Sequence, residues 1–178
     1  MQADPAILRR LGRSGLITVR IMTLVRRATP EDAGELLRLR QVMIDSMAGA
    51  NTDAGWQSAS LSTVSARLAD PAGAFAAFVV DHPERRHGSL AALAVGTVEY
   101  RIGRAGNPHG RIGYVFSVAT DPDARRRGYA RACMEALVDW FREEDVGQID
   151  LTASAEAVPL YASLGFVRQP DPFMRLRF

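Results

Sequence analysis

Three arginines and a glycine, Arg125-Arg126-Arg127-Gly128, stand directly before an amphipathic run, and that spacing suits one kind of chemistry. The first turn of a helix carries N–H groups without intrahelical partners at the positive end of the helix dipole. A glycine there lets the backbone approach a ligand with no Cβ in the way. Neighbouring Arg side chains add charge, so the stretch suits a phosphate group. The same residues read equally as a solvated basic turn ahead of a surface helix. They form neither a Walker loop, which needs a second glycine and a Lys-Ser/Thr pair, nor a dinucleotide fingerprint.

For Gly128 to occupy such a turn, a strand must end near Thr120 and a helix must begin near 127. Ala130, Met134, Leu137, Val138 and Phe141 recur at helical spacing, which predicts a helix over about 127–144 with one core face. Upstream, "AFAAFVVD" (74–81), "AVGTVEYRI" (94–102) and "RIGYVFSVAT" (111–120) are apolar or alternating runs between turn-rich loops. They predict an antiparallel meander. Before it, "TLVRR" (23–27) has weak strand character. Thr29-Pro30-Glu31-Asp32 then starts a helix whose stripe is Ala33, Leu36, Leu37, Met43, Ile44 and Met47. A Gly/Asn loop at 49–55 leads to a shorter helix through Leu61, Val64 and Leu68. After the long helix come a short strand "QIDLTA", a short helix ending "YASLGF" and a closing strand "FMRLRF". The expected order is β-α-α-β-β-β-α-β-α-β, an α+β domain with a mixed sheet.

A chain of 178 residues that is 47% hydrophobic is most simply one globular domain. A net charge of only +2 argues against a general nucleic-acid binder, and the arginine run lacks interleaved aromatics. Cys133 is the single cysteine, which excludes an intramolecular disulfide and a multi-cysteine metal centre. It lies beside the apolar helix stripe, where packing is the simpler role. His82, His87 and His109 have no paired helical spacing, so no metal is expected. No apolar run approaches the ~20 residues of a bilayer span, and the basic opening makes a poor signal peptide. Residues 1–21 are expected to be a mobile extension, 22–178 the folded domain, and the location cytoplasmic.

Arg125-x-x-Gly128-x-Ala130 resembles the (Q/R)xxGx(G/A) signature of the GNAT acyltransferase superfamily. Thr120-Asp121-Pro122 stands where those enzymes carry a strand-ending VxP. About thirty residues on, "SAEAVPLYASLGF" (154–166) is similar to the family's NxxAxxLYxxxGF segment, with Ser154 in place of the usual Asn. The two motifs in this order are much more specific than either alone.

The resemblance implies transfer of an acyl group, usually acetyl, from coenzyme A to an amine. It implies that backbone amides from Arg126 through Gly128, Tyr129 and Ala130 to Arg131 hold the coenzyme diphosphate, helped by the charges of Arg125, Arg126 and Arg127. Val118, Ala119 and Thr120 would pair with the pantetheine arm, and an amide near Val118 would steady the oxyanion. Ser154 occupies the position of a further polar contact. Tyr161, a phenol with an ordinary pKa of about 10, would protonate the departing thiolate. Gly165 and Phe166 read as a helix C-terminal stop. Strand 111–118 has no carboxylate where several relatives keep a base, so Glu99 on the preceding strand is the substitute. Glu99 otherwise reads as a solvated residue paired with Arg101, and water is the other proton acceptor. Trp56 and Met47 fall in the segment that borders the acceptor pocket in this resemblance. The implied partner is a small-molecule or peptide amine of unspecified identity, with a homodimer left open. A CoA-binding sensor or scaffold without turnover is the alternative reading.

Overall fold

Runs of alanine and β-branched residues between 75 and 120 form three long strands because their side chains pack on both faces of a sheet. In this computed structural model, which describes residues 24–48, 55–70, 72–85 and 87–176, a five-stranded sheet has the order β1-β2-β3-β4-β5. Its strands are β1 (Val25–Arg27), β2 (Phe75–Asp81), β3 (Leu90–Tyr100), β4 (Arg111–Thr120) and β5 (Ile149–Leu151). The first three pairings are antiparallel and β4–β5 is parallel. The expected extension 1–21 and most of the loop 49–55 lie outside the described residues.

The entry to the first helix follows the expected capping chemistry. A 3₁₀ turn, Pro30–Asp32, leads into α1 (Ala33–Ala48), and the Asp32 carboxylate accepts the Thr29 N–H at 2.8 Å. Asp32 also receives two bonds from Arg26 of β1, at 2.7 and 2.8 Å, which fasten the helix start to the sheet. Ala33, Leu36, Leu37 and Leu39 are buried, whereas Met47 at the far end of the expected stripe is exposed. With α2 (Gly55–Leu68), α1 covers one face of the sheet, over Val79, Leu93 and Ala119.

The other face carries α3 (Tyr129–Glu143) and α4 (Val158–Ser163). Met134, Leu137 and Phe141 are buried as their spacing predicts, together with Tyr129, Cys133 and Trp140. The Phe141 ring fills a notch made by two glycines on adjacent strands. A Cβ on Gly96 would lie 2.7 Å from that ring, and one on Gly113 would lie 2.8 Å from it.

Two expectations need correction. β3 begins at Leu90, four residues before the run at 94, because its start is continuous with buried Ala91, Ala92 and Leu93. The closing strand does not form: described residues 173–176 are irregular, with Phe173, Met174 and Leu176 exposed, and 177–178 lie outside the described residues. The alternating pattern there supplies strand propensity, but no neighbouring strand takes up its hydrogen bonds.

Candidate functional site

β4 changes partner at one residue. Val95 pairs with Ser117 and Gly96 with Val115, so Phe116 is the extra residue of a β-bulge. On the other side, pairing with β5 runs only from Gly113 to Val115. From Phe116 to Thr120, β4 therefore has an edge that β5 does not cover. The Asp121 N–H donates to the Ala91 carbonyl at 2.8 Å, toward β3. Strand alternation then turns the Ala119 N–H toward β3 and the Val118 and Thr120 N–H groups toward the open edge. The bulge also sets side-chain direction. Val118 packs with the core beneath α3, while Ser117 and Ala119 face α1.

The chain after β4 makes a 3₁₀ turn, Pro122–Ala124, and then bends into α3. Arg126 and Gly128 both have left-handed backbones, with φ of 59° and 82°. For Arg126 this conformation costs about 1–2 kcal/mol, a strain that glycine escapes at 128. The first bond of the helix is from the Ala132 N–H to the Gly128 carbonyl at 3.1 Å. The amides of Tyr129, Ala130 and Arg131 thus precede the intrahelical ladder and point out of the helix end. The Tyr129 side chain itself is buried, and Ala130 is partly buried.

The arginines of the loop divide into two pairs. Arg127 donates to Glu84 at 2.6 Å and to the Asp123 carbonyl at 3.3 Å. Arg131 donates to Ser163 Oγ of α4 at 2.5 Å. Arg125 and Arg126 are exposed and make no ion pair among the described residues. Two uncommitted cations thus flank a helix end whose glycine leaves the backbone bare.

An ion-pair knot beneath this loop is the part the sequence hides. Asp121, buried at 1% exposure, accepts from Arg38 of α1 at 2.7 Å and from Arg85 at 3.0 and 3.1 Å. Arg85 also grips Asp123 at 2.7 Å, and His82 Nε2 lies 2.9 Å from the same carboxylate. Those contacts hold the Asp123 carboxyl well below its usual range, the hydrogen bond with His82 first and that from Arg85 second. His82, Asp121 and Asp123 bring ligand-type atoms within 4.8 Å of one another. The guanidiniums of Arg38 and Arg85 already balance the two carboxylates, so the cluster is built as an ion-pair network. The β2–β3 connection, through His82 and Arg85, therefore belongs to this network. No local pattern announces contacts across 36 to 83 residues of sequence.

Tyr161 lies on α4 at 8% exposure, its ring edge-on to Phe166 with centroids 5.9 Å apart. It belongs to the core cluster against which Val118 packs. Burial pushes its phenol pKa up, so the group keeps its proton at neutral pH. Ser154 is exposed, and its carbonyl accepts the N–H groups of Ala157 and Val158 at the start of the α4 turn. Gly165 closes α4 with φ of 90°.

Glu99 is not brought to this point. It bonds Arg101 at 2.8 Å near the far end of β3, opposite Ile112. A cavity of about 300 Å³ opens instead against Phe116 and Ser117, between the sheet and helices α1 and α2. Trp56 lines it, Glu99 does not, and among the described residues its lining has no carboxylate. Cys133 is fully buried, and burial pushes its thiol up to about 12, which leaves no thiolate for chemistry.

The chain matches the family model described as Acetyltransferase (GNAT) family over residues 42–166. It belongs to the GNAT acetyltransferase family. A crystal structure of a predicted acetyltransferase with acetyl-CoA from Clostridium acetobutylicum superposes with a TM-score of 0.71 at 22% identity, covering 86% of this chain and 94% of that one. The [Ribosomal protein bS18]-alanine N-acetyltransferase of Escherichia coli K12 is 40% identical over 55 residues, 29% of this chain and 37% of that protein. The chloroplastic GCN5-related N-acetyltransferase 2 of Arabidopsis thaliana is 31% identical over 70 residues, 39% of this chain and 27% of that protein. The match thus spans about a third of the length of these two relatives. No helix among the described residues is long and apolar enough to cross a membrane.

Proposed function

We propose that this chain is an acetyl-CoA-dependent N-acetyltransferase that passes acetyl directly to an acceptor amine. The single observation that carries the reading is the continuity between the open edge of β4 and the bare helix end at Gly128. An extended arm with a diphosphate at one end fits that edge and that corner. In this reading residues 22–178 are one transferase unit, working in the cytoplasm without a metal.

Amides of Gly128, Tyr129, Ala130 and Arg131 would hold the diphosphate, with the free charges of Arg125 and Arg126 beside it. Arg127 and Arg131 would stiffen the loop through Glu84 and Ser163. The outward N–H group of Thr120 would pair with the amide-bearing arm, while Ala119 keeps its bond to β3. Acetyl-CoA supplies the activated thioester. At its carbonyl, a Val118 N–H that needs no reorganisation would stabilise the oxyanion by about 3 kcal/mol.

Attack forms the C–N bond, and collapse of the oxyanion breaks the C–S bond. Tyr161 then gives its proton to the departing sulfur and is reprotonated by solvent. The acceptor nitrogen loses its own proton to water at the cavity mouth, because Glu99 is held by Arg101 away from the lining.

Free-thiol release from acetyl-CoA, measured over a panel of amines, tests the reading. At least one amine is expected to be turned over, and CoA binding without any turnover would leave the sensor or scaffold instead.

A further inference from the structure

The cavity beside the bulge contains one feature that transfer chemistry does not require. Its lining is largely apolar, from Leu36, Val64, Trp56, Phe75, Val95 and Phe116, yet Arg40 of α1 enters it. The guanidinium sits over the Phe116 ring at 5.8 Å, and one nitrogen, Nη1, donates to Ser117 Oγ and approaches the Phe116 carbonyl at 3.5 Å. Among the described residues, Nε and Nη2 have no acceptor and no carboxylate lies within ion-pair distance. Partial burial lowers the pKa of the group from its ordinary value, which shows that the charge is held there at a cost. At the rim, Arg67 stacks over Phe75 at 5.7 Å and likewise makes no ion pair among the described residues.

A half-buried guanidinium with spare donors in an apolar cavity is arranged to receive a planar anion. Its place fixes how far that anion lies from the reacting nitrogen. Arg40 is bonded to Ser117, the residue before the Val118 amide that faces the open edge. A carboxylate on Arg40 and an amine at that edge must therefore be close neighbours in one molecule. A peptide N-terminus has no carboxylate beside its amine, and a polyamine has none at all. A volume near 300 Å³ is at the small end of the roughly 300–1,000 Å³ found for ligand pockets.

We infer that the acceptor is a small α-amino acid with an apolar side chain, its carboxylate on Arg40 and its side chain among Trp56, Phe75 and Phe116. This assignment rests on the transferase reading above. Arg40 is then a specificity residue that touches the acceptor.

The test compares phenylalanine, phenylalaninamide and 2-phenylethylamine, first as ligands in titration calorimetry and then as acceptors of acetyl from acetyl-CoA. Phenylalanine is expected to bind at least about tenfold more tightly than either partner that lacks the carboxylate, the worth of one charge-assisted contact. The same order is expected in kcat/KM. In Arg40→Met the advantage is expected to shrink to within about twofold, since only the charge contact is removed. A merely structural role for Arg40 would lower all three values together and keep their ratio, which overturns the assignment. Equal or better binding of the amide or the plain amine to the unaltered protein overturns it too. Binding is also measured without coenzyme, so a chain that refuses CoA would end the transferase reading while the carboxylate preference is still decided.

Discussion

For the proposed transfer, Tyr161 offers a retained proton and a place in the core cluster against which Val118 packs. Burial holds its phenol above the ordinary tyrosine range, so the protonated form is present at every pH below that value. Tyr161→Phe is expected to lower kcat by about a hundredfold, the lower end for a general acid, with little change in CoA affinity. An alkaline loss of kcat caused by this group should fall above about pH 10, the ordinary tyrosine value, and be absent from the variant. Equal kcat in the two proteins would show that another group protonates the sulfur. Glu99→Gln should leave the pH–rate profile of kcat/KM unchanged, because the carboxylate is tied to Arg101 outside the cavity. A displaced acid limb in that profile would make Glu99 the base. At this scale the sequence is legible where a motif fixes position, as at Gly128 and Tyr161. Arg40 and Ser117 carry no such mark, since only the bulge at Phe116 turns Ser117 toward the helix face.

Among the elements, the contact of α3 with the sheet depends on one ring and two missing side chains. Phe141 lies against Gly96 of β3 and Gly113 of β4, which the register sets two pairs apart. Gly113→Val would drive a branched side chain into that ring and should destabilise the fold by about 1–3 kcal/mol, the usual cost of overpacking. Chemical denaturation reads this directly, and an unchanged midpoint would mean that the ring can move aside. The stripe on α3 is legible because a face that packs on a sheet must repeat every three to four residues. The glycines are not, because a notch is a property of two strands at once. The closing strand expected at 173–178 does not form over described residues 173–176 for a related reason. Alternation provides a surface that could pair, but pairing needs a neighbour, and β5 contributes only three residues.

Across the whole molecule, Asp121 joins three regions at the root of the loop proposed to hold the diphosphate: α1 through Arg38, the β2–β3 connection through Arg85, and its own turn before Gly128. Asp121→Ala would leave two guanidiniums without their buried partner and should cost about 3–5 kcal/mol of stability. It should also raise the KM for acetyl-CoA more than it lowers kcat, because the loop loses its anchor and Tyr161 does not. A fall in kcat alone would place Asp121 in the chemistry. The overall order of elements up to α4 is legible from periodicity and turns. The knot is not, because its members come together only when the sheet and α1 are assembled.

The central claim is that the helix end at Gly128 holds the coenzyme, and titration of CoA into the unaltered protein and Gly128→Glu measures it most directly. A side chain forced into a left-handed backbone costs about 1–2 kcal/mol, and a carboxylate there also repels a diphosphate. The account predicts saturable binding by the unaltered protein and loss of more than about tenfold in affinity in the variant. Equal affinity in two folded proteins would contradict it.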